Sequence, residues 1–362
     1  MRVNLFMKKN FKLFALCIAL FALIFALTYA LGVATRPNPL QKASFVWWPE
    51  TEESFDATNK WAKFLKEGFK QNGYDLKLVS GEAKTPIEYL VSSDIVIIAY
   101  PIKKELGVLK SYLKNGAKAY LWSSESPIIM KQPVQPVDAA NLEKIFTWRR
   151  DLVDNKKTFF VPLDTRLENG IKISKDLSRK RILMTQVAWN SYHYETPSTL
   201  YYKRREATLW WLKNHPGEYE FYGKDWPLLL KQIPDKYKPA FERAYKGYAP
   251  DKIKAVSQAW FALAFENTRH LDYVSEKIYD VMKSGTVPIY LGAPNIEEFV
   301  PKECFINYAD FENDEELYAF IKQVTPERYQ HYLTCIQHFF DSEKIYPLTP
   351  ESIADSLLNE IF

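Results

Sequence analysis

AWFALAFENTRHLDYVSEKIYDVMKSGTVPIYLG, residues 259–292, sets two apolar runs around one helical period. The run Trp260 to Phe265 is short, aromatic and uncharged, as a buried strand requires. A polar link, 266–272, leads into Ile278, Val281 and Met282 at helical spacing, and Gly285 ends that helix. Val287 to Leu291 reads as the next parallel strand. In open α/β sheets a ligand lies just beyond the carboxyl ends of the strands. The loop holding Glu266, Asn267, Tyr273, Glu276 and Lys277 therefore falls at that edge. Glu276 and Lys277 occupy the first helical turn, where backbone N–H groups and the positive dipole end favour an anion such as a diphosphate.

The same alternation runs upstream. Ser44–Trp48, Tyr74–Val79, Asp94–Tyr100 and Lys118–Trp122 read as strands, and 56–71 and 105–115 as helices. Trp61, Phe64, Leu65 and Phe69 share one face of the first helix, Gly73 closes it, and Gly116 caps the second. Strands alternating with helices predict a parallel sheet covered on both faces. After a charged, irregular stretch at 165–180, Arg181–Val187 opens a second set and Phe221–Gly223 ends another strand. Helices are expected at 236–246, 251–257, 313–324, 326–340 and 351–360, with a strand at 304–308. The aromatic stripe Tyr329, Tyr332, Phe339 and Phe340 suits a core face.

With 362 residues, 47% of them hydrophobic, the chain can fill two cores. A net charge of +4 with interspersed signs implies no nucleic-acid partner. No GxGxxG or Walker-type loop occurs, and the 5 histidines form no HExxH or paired metal spacing. Cys304 and Cys335 lie outside any CxxC and suit core packing, with one disulfide possible.

Residues 13–34 are uncharged, and about 20 such residues cross a bilayer as a helix. Arg2, Lys8, Lys9 and Lys12 precede this run, which predicts a single pass with a cytoplasmic N-terminus. Small residues at 30–34 leave a cleaved signal peptide as the alternative.

FEN (265–267), DYVSEK (272–277), GTVPIYLG (285–292), FVP (299–301) and the CFIN run ending in Asp310–Phe311 together resemble the donor-binding half of the α-1,3-fucosyltransferases, glycosyltransferase family 10. Ser275 stands where the family has threonine, and keeps the hydroxyl. The resemblance covers roughly 110 residues well. It implies an α/β fold of the GT-B type, two Rossmann-like domains facing across a cleft, preceded here by one N-terminal transmembrane helix. The expected organisation is a tail and anchor at 1–35, a tether at 36–43, an acceptor-side domain at 44–164, a linker at 165–180, a GDP-fucose-binding domain at 181–345 and a C-terminal helix at 346–362.

The same resemblance assigns roles. SSESP (123–127), at a strand end, is similar to the family's ESP and nominates Glu125 as the general base that deprotonates an acceptor hydroxyl. Glu276 is expected to meet the ribose or the developing oxocarbenium sugar. Lys277 and Arg205, with Arg204 as the alternative, are expected to neutralise the departing diphosphate. Asn267 is expected on donor hydroxyls and Tyr273 beside the guanine or its ribose, although Asn267 could cap a turn and Tyr273 could only pack. Arg149, Arg150 and Asp151 match the family's RRD and read either as a cleft edge or as a charged surface turn. The implied reaction is inverting transfer of L-fucose from GDP-fucose to an oligosaccharide, glycoprotein or glycolipid hydroxyl, in α-1,3 or α-1,4 linkage, with no obligatory metal or other cofactor. Another sugar nucleotide as donor, or a non-catalytic binding protein, are the alternatives. The resemblance and the N-terminal run together place the protein in a Golgi membrane if eukaryotic, and in the cell membrane if bacterial.

Overall fold

The computed structural model describes residues 41–47, 59–79, 87–99, 116–124, 142–190 and 199–362. The expected membrane helix at 13–34, the helix at 105–115 and Glu125 lie outside these residues. Among the described residues no helix is long and apolar enough to cross a membrane.

The first half comprises β1 (Gln41–Val46), α1 (Trp61–Gln71), β2 (Tyr74–Val79), α2 (Ile87–Val91), β3 (Ile95–Ala99), β4 (Lys118–Ser123), β5 (Lys144–Thr147) and β6 (Thr158–Phe160). Its sheet has 6 parallel strands in the order β2-β1-β3-β4-β5-β6. β3, IVIIA, is buried along its whole length, as befits a central strand covered on both faces. Residues 41–43, expected in the tether, are strand instead, because Gln41, Lys42 and Ala43 pair with Tyr74, Asp75 and Leu76. The 146–162 segment holds part of β5 and all of β6, which extend the sheet beyond the strands read from sequence.

The second half comprises β7 (Ile182–Val187), α3 (Tyr201–Asn214), β8 (Tyr219–Tyr222), α4 (Lys238–Ala244), α5 (Lys252–Ser257), β9 (Ala259–Phe265), α6 (Glu276–Lys283), β10 (Val287–Leu291), β11 (Ile306–Asn307), α7 (Asp314–Lys322), α8 (Pro326–Phe340) and α9 (Pro350–Ile361). Its 5-stranded parallel sheet runs β11-β10-β9-β7-β8. In register, Phe265 at the end of β9 lies opposite Leu291 at the end of β10. Strand order reverses between β7 and β9, so a crevice opens beyond their carboxyl ends. The same reversal occurs between β1 and β3 in the first sheet.

Three features tie the halves together. Helix α9 leaves the second half and packs on α1, burying Ile353, Ala354, Leu357 and Ile361 in the core that contains Phe45, Trp61 and Leu65. Gly68 of α1 lets Leu358 approach its backbone, since a Cβ there would run into that side chain. Arg150, just after β5, donates to Asp272 at 3.2 Å and to Glu298 at 2.6 Å. Trp148 meets Tyr273 edge-on at 5.0 Å.

The connection between the sheets is irregular but anchored. Thr165 Oγ1 donates to the Leu348 carbonyl at 2.6 Å. Lys180 Nζ donates to the Ala259 and Gly285 carbonyls and to Thr286 Oγ1, at 2.7, 2.8 and 2.8 Å. Cys304 and Cys335 form a disulfide across a sequence separation of 31, joining the approach to β11 to α8.

Candidate active site

The crevice between β7 and β9 is filled from one side by Arg204 of α3. Tyr201, Arg204, Thr208 and Trp211, spaced three and four apart, form the buried stripe of this helix. Arg204 Nη2 donates to the Phe265 carbonyl at 2.7 Å and to Asn267 Oδ1 at 2.9 Å, and Nη1 reaches the Trp189 carbonyl at 3.4 Å. One guanidinium thus gathers the carboxyl ends of both strands. Arg205, the preferred phosphate contact from sequence, lies one residue off this stripe and outside the cavity lining. The helix phase gives the crevice to Arg204.

Lys277, in the first turn of α6, lines the same small cavity as Arg204, together with Gln186, Lys252, Phe265 and Val281. Gln186 Nε2 and Arg204 Nε are buried without a hydrogen-bond partner among the described residues. Such orphaned donors are rare, and they present the cavity with groups suited to an oxygen ligand.

At the end of β9, Glu266 is fully buried and accepts the Ser275 N–H at 2.9 Å and the Ser275 hydroxyl at 2.7 Å. Lys277 Nζ donates to Ser275 Oγ at 2.9 Å and lies 3.4 Å from Glu266 Oε2. Glu276 is half-buried, 3.6 Å from the Lys277 ammonium. Burial would raise its carboxyl, but Lys277, Lys252 and Arg166 outweigh that and hold it well below the usual carboxylate range. Asp164, at the end of the first half, shows the opposite balance. Burial lifts its carboxyl and the Glu276 charge adds to the rise, against the opposing Arg166 N–H bond at 2.9 Å.

The remaining predicted residues divide. Asn267 is at the crevice, accepting from Arg204 and donating to Tyr273 Oη at 3.4 Å. Tyr273 is only 3% exposed and packs with Trp148 and Leu163, so its ring joins the halves. Arg150 is the cross-domain cation described above, whereas Arg149 pairs with its neighbour Asp151 at 2.5 Å. Asp272 completes this edge with a left-handed backbone, φ 66°, held by Asn295 through bonds of 2.9 Å in both directions. Sequence reasoning named Glu266 without a role and missed Lys252, Gln186 and Asp164. The choice of Arg204 over Arg205 comes from the buried stripe of α3, which the tertiary packing sets. Among the described residues no group of three or more His, Cys, Asp or Glu is placed to hold a metal ion.

Comparison with known proteins bears on the same region. Residues 198–349 match the family model described as glycosyltransferase family 10 (fucosyltransferase), C-terminal. This part of the chain belongs to glycosyltransferase family 10. The family 10 region is 31% identical over 145 residues to the 4-galactosyl-N-acetylglucosaminide 3-alpha-L-fucosyltransferase 9 of Mus musculus, a match spanning 38% of this chain and 37% of that protein. It is 40% identical over 83 residues to the alpha-(1,3)-fucosyltransferase 7 of Homo sapiens, spanning 22% of this chain and 24% of that one. The matched segment is therefore little more than a third of the mouse protein. The whole fold is similar to the crystal structure of an alpha1,3-fucosyltransferase, with TM-score 0.53, 18% identity, and coverage of 91% of this chain and 92% of that one. It is also similar to T4 phage β-glucosyltransferase, with TM-score 0.55, 14% identity, and coverage of 89% and 99%. These likenesses concern the fold, a GT-B-like pair of parallel α/β domains around a family 10 half.

Proposed function

We propose that this protein is a fucosyltransferase that moves L-fucose from GDP-fucose to a glycan hydroxyl with inversion, forming an α-1,3 or α-1,4 linkage. One observation carries the reading: Lys277 and Arg204 face a single cavity at the carboxyl edge of a family 10 sheet. As the glycosidic bond breaks, GDP gains negative charge, and preorganised cations with oriented donors stabilise that charge most in the transition state. Glu276, held ionised by its cationic neighbours, is suited to face positive charge developing on the sugar. Glu125 is the proposed general base, taking the proton of the attacking hydroxyl. The relatives' printed activity, fucosyl transfer to a 4-galactosyl-N-acetylglucosaminide, motivates lactosamine-type acceptors as the first to assay. A single N-terminal membrane anchor is proposed with it, from the apolar run at 13–34.

Incubation with labelled GDP-fucose and, separately, GDP-mannose over a glycan panel tests the reading. Transfer from GDP-fucose that Lys277→Ala reduces at least about 100-fold is expected, an electrostatic loss of the size that single transition-state donors contribute. Transfer only from another donor, or GDP binding without transfer to any acceptor, overturns it.

A further inference from the structure

Resting on the diphosphate reading just given, we infer that Glu266 is the positioning residue of the site, fixing where the Lys277 ammonium sits without itself touching the ligand. A fully buried carboxylate is costly unless it is hydrogen-bonded and paired. Glu266 is satisfied entirely by the start of α6: Oε1 takes the Ser275 N–H, and Oε2 takes the Ser275 hydroxyl and faces Lys277 Nζ. The Ser275 oxygen accepts from Lys277 in turn, so ammonium, hydroxyl and carboxylate form one directed chain.

That chain has a cost that shows its purpose. Ser275 is the N-cap of α6, where a serine oxygen ordinarily accepts an N–H of the first turn, yet its side chain makes no capping bond. The hydroxyl serves Lys277 and Glu266 in place of the helix. On its other side Glu266 is fixed by contact with Gly292, where a Cβ would run into Glu266 Cγ and Tyr290 Oη. Its charge also reaches Arg204: burial disfavours the guanidinium's charge, and Tyr201 and Glu266 oppose that loss. Two of the three cavity cations, Lys277 and Arg204, are thus referred to one carboxylate at the end of β9.

Glu266→Gln keeps the shape but turns an amide N–H₂ toward the hydroxyl and ammonium, reversing the polarity that holds Lys277. In titrations of the full chain, this variant is expected to bind GDP about tenfold more weakly, a coupling typical of contacting polar groups. Guanosine, which lacks phosphates, should bind both forms equally, and in a Lys277→Ala background Glu266→Gln should cost nothing further. GDP affinity that is unchanged or tighter in Glu266→Gln, or an equal loss in both backgrounds, overturns the inference. Should Glu266→Gln not fold, Ser275→Ala breaks the same chain while leaving the carboxylate, with the same expected GDP-selective loss and the same overturning outcomes. A wild-type chain that binds no GDP overturns both the diphosphate reading and this one, which separates that failure from a failure of Glu266 alone.

Discussion

Arg204 and Arg205 are adjacent, chemically identical and structurally unalike. Removing Arg204 strips hydrogen bonds from the Phe265 carbonyl and Asn267 Oδ1 in a buried crevice. Unpaired buried acceptors and the void left by the side chain together cost about 3 kcal/mol. Arg204→Ala is therefore expected to lower unfolding free energy by about that much in urea titrations, while Arg205→Ala, off the buried stripe, stays within about 0.5 kcal/mol. Asp164 gives a second residue-scale expectation. Its carboxyl is raised in the folded chain, so the fold binds more protons than the unfolded chain just above the ordinary carboxylate pKa. That contribution favours folding in acid and is lost as pH rises through the folded value. Asp164→Asn, which can still accept the Arg166 N–H, should raise the melting temperature near neutral pH and converge with wild type below about pH 4.

At the level of elements, what the sequence reveals depends on length and apolar density. β3, β9 and β10 are buried runs of five to seven residues and read directly from composition. β5 and β6 have 4 and 3 residues and sit around a charged turn, so no periodicity could accumulate over them. The stretch 265–277 announced the ligand edge because its residues follow a strand end at once. Arg204 was harder: KRRE presents three cations in a row, and only the tertiary packing of α3 chooses between them. Tyr273 carried two readings because an aromatic at a ligand edge and an aromatic at a domain seam look alike until Trp148 is placed beside it. The disulfide between Cys304 and Cys335 is an element-scale staple, closing a loop of about 31 residues from the approach to β11 into α8. Loop closure of that length is worth about 3–4 kcal/mol in the chain-entropy account. Cys304→Ser with Cys335→Ser is expected to reduce stability by an amount of that order, read by urea unfolding under non-reducing conditions.

Across the whole molecule, beside the packing of α9 on α1, the two halves meet through a small polar clamp and an aromatic seam. Arg150 spans the boundary to Asp272, whose side chain is 8% exposed, and to Glu298, which is largely in solvent. It also lies over the rings of Phe160 and Phe299 at 5.0 and 5.1 Å. Exposed pairs contribute little and are screened, so most of the clamp's worth belongs to Asp272 and the rings. Arg150→Ala should cost about 1 kcal/mol in global stability. Its clearer signature should be faster hydrogen exchange at 270–274, measured against an unchanged core in β9 and β10. Equal exchange in both regions would show that the halves are held without it.

Helix α9 gives the chain an unusual itinerary. Because it returns to α1 after the second sheet is complete, the second half is threaded as an insertion within the first, crossing outward along 161–181 and homeward along 341–349. Two crossings pinned by Thr165 and Leu348 to each other act like a door hung on paired hinges. A rotation of the two halves about that bond would leave both crossings in place.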